Sequence, residues 1–172
     1  MKVMMISLAI FAVSLLLAGN LKAATAHALE PIMGVPGEVF DLANWKLTVP
    51  TSTDNKKPTE IKQPELASYK SVHFYTSNNL LVFTAPVGGF HTVGSHYPRS
   101  ELREMDGKAL SSWSTVSGTH TMIVEQCIVA VPKVKDHVVA GQIHNENDVI
   151  TIRLEGKHLF GQSDGVNRGD MD

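Results

Sequence analysis

The stretch YPRSELRE, residues 97–104, combines arginine and glutamate side chains at a spacing that could hold an anion. If it forms a strand, its side chains alternate between the two faces, so Arg99, Glu101 and Arg103 project together. The carboxylate of Glu101 can then hydrogen-bond both guanidinium groups and leave their other N–H groups for a ligand carboxylate. We therefore predict a site for a repeating anion here. For this stretch alone, the alternative is a solvated surface strand with an exposed ion pair.

A second stretch, GQIH at residues 141–144, ends another predicted strand. Gln142 and His144 share one face by the same alternation, while Ile143 points into the core. An amide donor and an imidazole on one face, beside an arginine-bearing strand, make a compact set for a substrate that carries a carboxylate. Taken alone, a glutamine and a histidine on a strand are more often ordinary surface residues.

Together these groups suit the removal of the proton on the carbon next to a sugar carboxylate. That step is difficult because the resulting carbanion spreads charge onto a group that is already anionic. Arg99 and Gln142, with help from Arg103, could neutralise the carboxylate as charge builds on it. His144, which titrates near neutral pH, could take the proton. The predicted reaction is a β-elimination, which needs no metal and no other cofactor.

Two other chemistries fit the sequence less well. A glucanase needs two carboxylates on one face as acid and nucleophile, whereas Glu101 and Glu104 fall on opposite faces of a strand. The triplet His144-Asn145-Glu146 matches the H-x-E of zinc deaminases, but the P-C-x-x-C that should follow it is absent. The histidines show no other metal-binding spacing. A calcium ion held by loop carboxylates stays open as an alternative.

The sequence shows no sustained helical period, so strands must position these groups. The candidate strands either alternate polar and apolar residues or are short apolar runs. The predicted strands lie within residues 39–49, 80–85, 98–105, 119–131, 138–144 and 149–155. Residues 50–64 are predicted as a loop, and 119–131 as an interior strand because both of its faces are mostly apolar. Strands at this spacing indicate one all-β domain, an antiparallel β-sandwich of the jelly-roll, concanavalin-like type.

The N-terminus has the form of a secretory signal peptide. A basic start is followed by an apolar run from Met4 to Ala18 and an A-x-A site at residues 24–26. We therefore predict cleavage of residues 1–26 and a secreted protein, extracellular or periplasmic, whose single domain spans residues 27–172. The apolar run is short for an uncleaved membrane anchor, which needs about 20 residues.

Charge and cysteine content exclude other classes of protein. The formal net charge is −2, and it falls to −4 without the leader because Lys2 and Lys22 are lost and no acidic residue is. No basic tail or overall positive charge suits nucleic acid, so a bound anion must meet a local cluster of cations. Cys127 is the only cysteine. An intrachain disulfide is therefore excluded, and a small buried hydrophobe is predicted at this position.

The motifs YPRSELRE and QIH, in this order, resemble those of the alginate lyases of polysaccharide lyase family seven. The segments NWKLTVP, LVFTAPVGG and GTH, together with Trp113, agree with this resemblance, which covers about residues 38–165. It implies a jelly roll whose concave sheet binds a polyuronate, the anionic polysaccharide alginate. We expect a monomer with no cofactor, no nucleic-acid partner and no membrane contact once the leader is removed.

The resemblance also implies roles for individual residues. By position, Arg99, Gln142 and His144 correspond to the catalytic arginine, glutamine and histidine of the family. Glu101 and Arg103 fall in its substrate-groove motif. The isoleucine in the middle of QIH implies a preference for guluronate-containing blocks.

The sequence departs from the family towards its C-terminal end. The family carries a late strand of the type YFKxGxYxQ whose tyrosine donates a proton, and none of Tyr69, Tyr75 and Tyr97 lies in such a motif. Residues 161–172 are polar and predict no closing strand, and a β-sandwich often takes about 200–250 residues. We therefore expect a C-terminally truncated chain with at most a small fraction of the family's activity. The alternative function is a non-catalytic polyuronate-binding module or an inactive fragment.

Overall fold

The computed structural model describes residues 7–9, 33–114, 117–144, 148–163 and 166–171. The strands in this part are β1 (Ser7–Ala9), β2 (Trp45–Val49), β3 (Thr59–Ile61), β4 (Phe74–Ser77), β5 (Leu80–Phe83), β6 (Glu101–Asp106), β7 (Ala109–Leu110), β8 (Glu125–Cys127), β9 (His137–His144), β10 (Asp148–Glu155), β11 (His158–Ser163) and β12 (Val166–Asp170). Two short 3-10 helices lie at Pro36–Glu38 and Glu65–Ser68, and the described ranges contain no α-helix. No helix in the described ranges has the length and apolarity needed to cross a membrane. The prediction of an all-β chain is confirmed.

The strands form three sheets of four strands each within the described residues. The first sheet has the order β3-β2-β6-β7, the second β4-β5-β1-β8 and the third β12-β11-β10-β9. Pairing is antiparallel except at β1, which runs parallel to both β5 and β8. Consecutive strands of the third sheet are neighbours, so it is a simple meander, and β9 lies at its edge.

The apolar core is shared by the first two sheets. Leu47 of β2 lies opposite Ile61 of β3 and Leu102 of β6, so apolar side chains from three strands meet on one face of the first sheet. On the second sheet, the rings of Phe74 and Phe83 pack at a centroid distance of 5.2 Å. The buried cluster consists of Leu42, Leu47, Val49, Ile61, Leu66, Phe74, Leu81 and Phe83.

Two glycines allow a close approach in the third sheet. Gly141 of β9 and Gly161 of β11 both lie opposite Ile152 of β10. A Cβ atom at Gly141 would sit 3.2 Å from the terminal carbon of Met122, and one at Gly161 would sit 3.2 Å from that of Met171. Two methionine side chains therefore occupy the space above the glycines, on the face to which Ile152 points.

The segment predicted as an interior strand, residues 119–131, is largely not one. Only Glu125–Cys127 is strand, and it lies at the edge of the second sheet, paired with β1. Ile123 is 45% exposed and Val129 40% exposed, and Cys127 is exposed rather than buried. Apolar residues on both faces of a strand are buried only where a layer covers each face, and this edge is not covered in that way within the described residues.

Two short strands appear where loop or turn was predicted. β3 lies inside the predicted loop of residues 50–64, and β12 lies in the polar segment of residues 161–172. Ile61 of β3 is buried against Leu47, but a strand of three residues carries too little alternation to be read from sequence. All of β12 is exposed and pairs with β11 through its backbone. Its polar side chains therefore show no alternation of apolar residues that would predict a strand.

The predicted leader and domain boundary fall mostly outside the described residues. Residues 10–26 and 1–6 are not among them, and β1 is the one described segment of the predicted leader. Ser7–Ala9 pairs with β5 at Leu81 and with β8 along Glu125–Cys127. Cleavage after residue 26 and a single domain at residues 27–172 stay predictions.

Candidate substrate-binding site

One face of the first sheet gathers the charged residues of the arginine motif. Arg103 of β6 lies opposite Lys46 of β2, and Glu101 lies opposite Thr48, which in turn lies opposite Glu60 of β3. Directly opposite residues of an antiparallel pair share a face. We call the face formed by Lys46, Thr48, Glu60, Glu101 and Arg103 the charged face.

The opposite face of the same strands belongs to the core. Leu102 packs against the buried cluster, and its neighbour across the strand pair, Leu47, is fully buried. The predicted alternation is confirmed from Glu101 onwards, with Glu101 and Arg103 on one side and Leu102 on the other, whereas residues 98–100 precede β6 and are not strand. A one-residue slip would have put two charges into the core, which explains why the register is well defined.

Glu101 pairs with only one of the two arginines. The Nη1 atom of Arg99 lies 3.3 Å from Oε2 of Glu101, and both side chains are about 30% exposed, at 29% and 32%. Arg103 instead donates from Nη2 to the backbone carbonyl of Ser111 at 3.4 Å. Within the described residues, Arg103 has no carboxylate at ion-pair distance. The expectation that Glu101 fixes both guanidinium groups thus holds for Arg99 alone, because Arg103 extends towards the segment after β7.

A second ion pair offsets the crowding of cations on the charged face. Lys46 lies directly opposite Arg103, and its ammonium group is hydrogen-bonded to Oε1 of Glu60, whose Oε2 lies 3.7 Å from Nζ of Lys62. Partial burial raises the pKa of Glu60, but the hydrogen bond and charge of Lys46, with the charges of Lys62 and Lys57, outweigh it and lower the pKa overall. Glu60 therefore stays ionised and balances Lys46, while the charge of Arg103 is not balanced by a described carboxylate.

Side chains on the other side of β6 brace the strand. The hydroxyl of Ser100 donates to the carbonyl of His73 at 2.7 Å. The carboxylate of Glu104 accepts a hydrogen bond from Nε1 of Trp113 at 2.8 Å. The indole of Trp113 stacks on the ring of His120 at a centroid distance of 5.1 Å. Trp113 and the GTH segment, whose role the sequence did not reveal, thus help to hold the arginine strand in place.

The second predicted group lies on the third sheet. Gln142 of β9 is opposite Thr151 of β10, which is opposite Gln162 of β11, so a polar row crosses three strands on one face. His144 ends β9 with its backbone opposite Asp148, and its side chain lies outside what the structure describes. Both predicted strands of this region, 138–144 and 149–155, are confirmed within one residue at their start.

The two groups are connected near the start of β9. The ring of Tyr97, two residues before Arg99, packs edge-on against the ring of His137 at 5.7 Å, and its hydroxyl accepts a hydrogen bond from Nζ of Lys135 at 3.2 Å. Gln142 lies five residues further along β9, roughly 17 Å at the usual rise of a strand. The meeting of Arg99, Gln142 and His144 around one sugar stays a prediction.

In the described residues, the charged face is not part of a candidate metal cluster, and an open cleft lies elsewhere. In the described ranges, no group of three or more histidine, cysteine, aspartate or glutamate side chains could hold a metal ion. An open cleft of about 610 Å³ lies instead at the ends of β10, β11 and β12, lined by Ile150, Gln162 and Arg168 among others. The candidate site is therefore defined by its cations and hydrogen-bond donors rather than by an enclosed cavity.

Comparison with known proteins gives the family. A family model described as alginate lyase matches residues 40–168, and the chain belongs to this family, polysaccharide lyase family 7. A curated alginate lyase from Klebsiella pneumoniae is 41% identical over 85 residues, which are 46% of this chain and 28% of that protein.

Solved structures agree with the assignment and with the fold. Alginate lyase AlgAT5 of polysaccharide lyase family 7 is 46% identical, with a TM-score of 0.66 over 80% of this chain and 65% of its own. The alginate lyase from Corynebacterium sp. is 35% identical, with a TM-score of 0.67 over 83% of this chain and 66% of its own. A variant of alginate lyase A1-II' in complex with a product (GGG) is 29% identical, with a TM-score of 0.57 over 80% of this chain and 65% of its own.

The predicted jelly-roll class is thereby confirmed. The chain spans about two thirds of the length of these solved structures and under one third of the curated relative.

Proposed function

We propose that this protein is a polysaccharide lyase that cleaves alginate by β-elimination. The observation that carries the proposal is the charged face, where Arg103 has no described carboxylate partner and Arg99 is oriented by Glu101. These arginines lie in the family's motif, and a relative that is 29% identical is known with product bound. An anionic polysaccharide is therefore the partner we propose for this face.

The chemistry follows from what the arginines can do to a uronate. A base removes the proton next to the carboxylate, and the electron pair forms a carbon–carbon double bond as the bond to the glycosidic oxygen breaks. Negative charge builds on the carboxylate in the transition state, so donors already in place there lower the barrier. Arg103 supplies a charge that no described carboxylate balances, and Arg99 supplies a hydrogen-bond donor held by Glu101. We assign Gln142 as a further donor and His144 as the base that takes the proton.

Each round of the reaction leaves an unsaturated uronate at the new chain end and a free hydroxyl on the other fragment. The leaving oxygen takes a proton from water and the base later returns its own proton to the solvent, so atoms and charge balance and no change of oxidation state has to be supplied. The unsaturated uronate absorbs ultraviolet light, which makes the product directly measurable.

The test is the incubation of the full chain with alginate, with ultraviolet absorbance as the measure of product. We expect product from the wild type and a loss of roughly 100-fold or more in rate for Arg99→Ala and His144→Ala, the size seen when a transition-state donor or a general base is removed. The matched control is Arg168→Ala, an exposed arginine of β12 outside the motif. Equal rates for Arg99→Ala and the control would contradict the assignment.

A binding module without turnover is the outcome that would replace this proposal. It would retain alginate in an affinity gel while forming no unsaturated product. If the wild-type chain neither binds alginate nor forms product, the proposal of a polyuronate partner is rejected.

We further propose that the protein is exported, since its substrate is a polymer too large to enter a cell freely. The basic and apolar leader of residues 1–26 supports this proposal. Sequencing the N-terminus of the secreted protein should give residue 27 as the first residue, and an intact Met1 in the cell fraction alone would contradict it.

A further inference from the structure

We infer that Arg153 is a second carboxylate-binding position, on the face of the third sheet that carries Gln142, and holds a uronate next to the one that reacts. This inference rests on the proposed function, and it concerns a residue outside both sequence motifs. Arg153 belongs to β10, the strand between the one that carries Gln142 and the one that carries Gln162.

The register places Arg153 on the same face as Gln142. Thr151 lies opposite Gln142, and Arg153 is two residues further along the same strand, so both point to the same side. The pairing is irregular between Ile152 and Arg153, so Arg153 lies opposite Val139, three residues before Gln142 on β9. The opposite side of β10 carries Ile152, which lies against the glycines and methionines of the inner face. Arg153 is thus on the polar side of a strand whose other side is apolar.

The contacts of Arg153 orient its guanidinium group but occupy only some of its N–H donors. Nη1 lies 3.3 Å from Oε1 of Gln162, and Nη2 lies 2.9 Å from Oε1 of Glu155. Nε is buried and has no hydrogen-bond partner among the described residues. A guanidinium group has five N–H donors. Two Nη hydrogens therefore remain on a side chain that is 26% exposed.

The arrangement repeats the one at Arg99. There, too, a guanidinium is held by a glutamate two residues further along the chain and has a buried Nε without a described partner. The Arg99–Glu101 and Arg153–Glu155 pairs thus have the same spacing and order along the chain, although Arg99 lies just before β6 and Arg153 lies within β10. A polymer with one carboxylate per sugar needs repeated positions of this kind, whereas a single sugar needs one.

Binding and turnover should respond differently to changes at Arg153. Because the position holds a neighbouring sugar, Arg153→Met should weaken binding of polymeric alginate roughly ten- to hundredfold, the effect of losing a charge-assisted hydrogen bond. The rate at saturating alginate should change little. Glu155→Gln removes the competing carboxylate, so it should bind alginate more tightly than the wild type. A merely structural role of the ion pair would weaken binding in both variants.

The experiment measures the dissociation constant of alginate for the full chain by calorimetry at low ionic strength, alongside product formation. The control is Lys56→Met, which removes an exposed cation in the loop before β3. If Arg153→Met binds like the control, the inference is overturned while the lyase proposal stands. If the wild type neither binds nor cleaves alginate, both are overturned. If Arg153→Met does not fold, Glu155→Gln decides: tighter binding supports the inference and unchanged or weaker binding overturns it.

Discussion

Protonation of Glu60 makes the charge balance of the first sheet depend on pH. Its pKa is lowered in the folded protein, so its ion pair with Lys46 stabilises the fold above the pKa of the unfolded chain, about 4.3. That contribution is lost as the pH falls below this value and Glu60 takes up a proton. We expect Glu60→Gln to make the free energy of unfolding less steep between about pH 4.5 and 3, measured by urea unfolding.

The control for this prediction is Glu65→Gln, which neutralises an exposed glutamate outside the sheets. In this variant, the free energy of unfolding should fall as steeply with decreasing pH as it does in the wild type. Identical slopes for the two variants would show that Lys46 does not stabilise ionised Glu60.

At the residue scale, the sequence predicted which side chains share a face but not which ones pair. The alternation placed Glu101 and Arg103 together because period two is a property of the strand itself, whereas Arg99 precedes β6 and meets Glu101 through an ion pair. The pairing of Lys46 with Glu60 depends on the register between β2 and β3, which local sequence does not contain. For the same reason, the position of Arg153 relative to Gln142 could not be predicted from the sequence.

At the scale of the element, β2 carries part of the charged face on one side and packs into the core on the other. Leu47 has no exposed surface, and it lies between Ile61 and Leu102 of the flanking strands. Leu47→Ala should lower the free energy of unfolding by about 2–5 kcal/mol, because it removes buried methyl groups and leaves a cavity. The measurement is urea unfolding at neutral pH.

Leu110→Ala is the matched control for β2. Leu110 is 54% exposed in β7 of the same sheet, so its loss should change the free energy of unfolding by about 0.5 kcal/mol or less. If Leu47→Ala is no more destabilising than Leu110→Ala, the first sheet does not pack on the core in the way described.

Strands were predictable where their own residues alternate over a sufficient length. β9 and β10, of eight residues each, were identified almost to their ends. β3 and β12 were among the strands missed, because one is too short to show a period and the other is held by backbone pairing with all its side chains exposed. The strand predicted at 119–131 was overextended, because an apolar composition does not say whether a second layer is present to cover it.

At the scale of the whole molecule, an acidic chain must bind an anionic polymer. The formal net charge of −2 repels alginate at long range, and the arginines attract it only locally. Added salt screens both effects, and the Debye length falls from about 10 Å at 0.1 M to about 3 Å at 1 M. If close contacts dominate, the affinity should fall as salt is added, with a shallower slope for Arg153→Met than for wild type.

This slope is measured as the dissociation constant of alginate across a series of sodium chloride concentrations. Lys56→Met serves again as the control and should keep the wild-type slope. An affinity that rises steadily with salt would mean that overall repulsion, rather than the arginine contacts, governs binding.

The methionines above Gly141 and Gly161 make the third sheet sensitive to oxidants. Peroxide converts a methionine thioether to a sulfoxide, which is polar and larger and is less suited to an apolar surface. Met171 is 41% exposed and so within reach of such a reagent, and its terminal carbon fills the space that a side chain at position 161 would take. A single added oxygen atom there would push on the strand next to Arg153, so the age and redox history of a sample bear on how well the third sheet is formed.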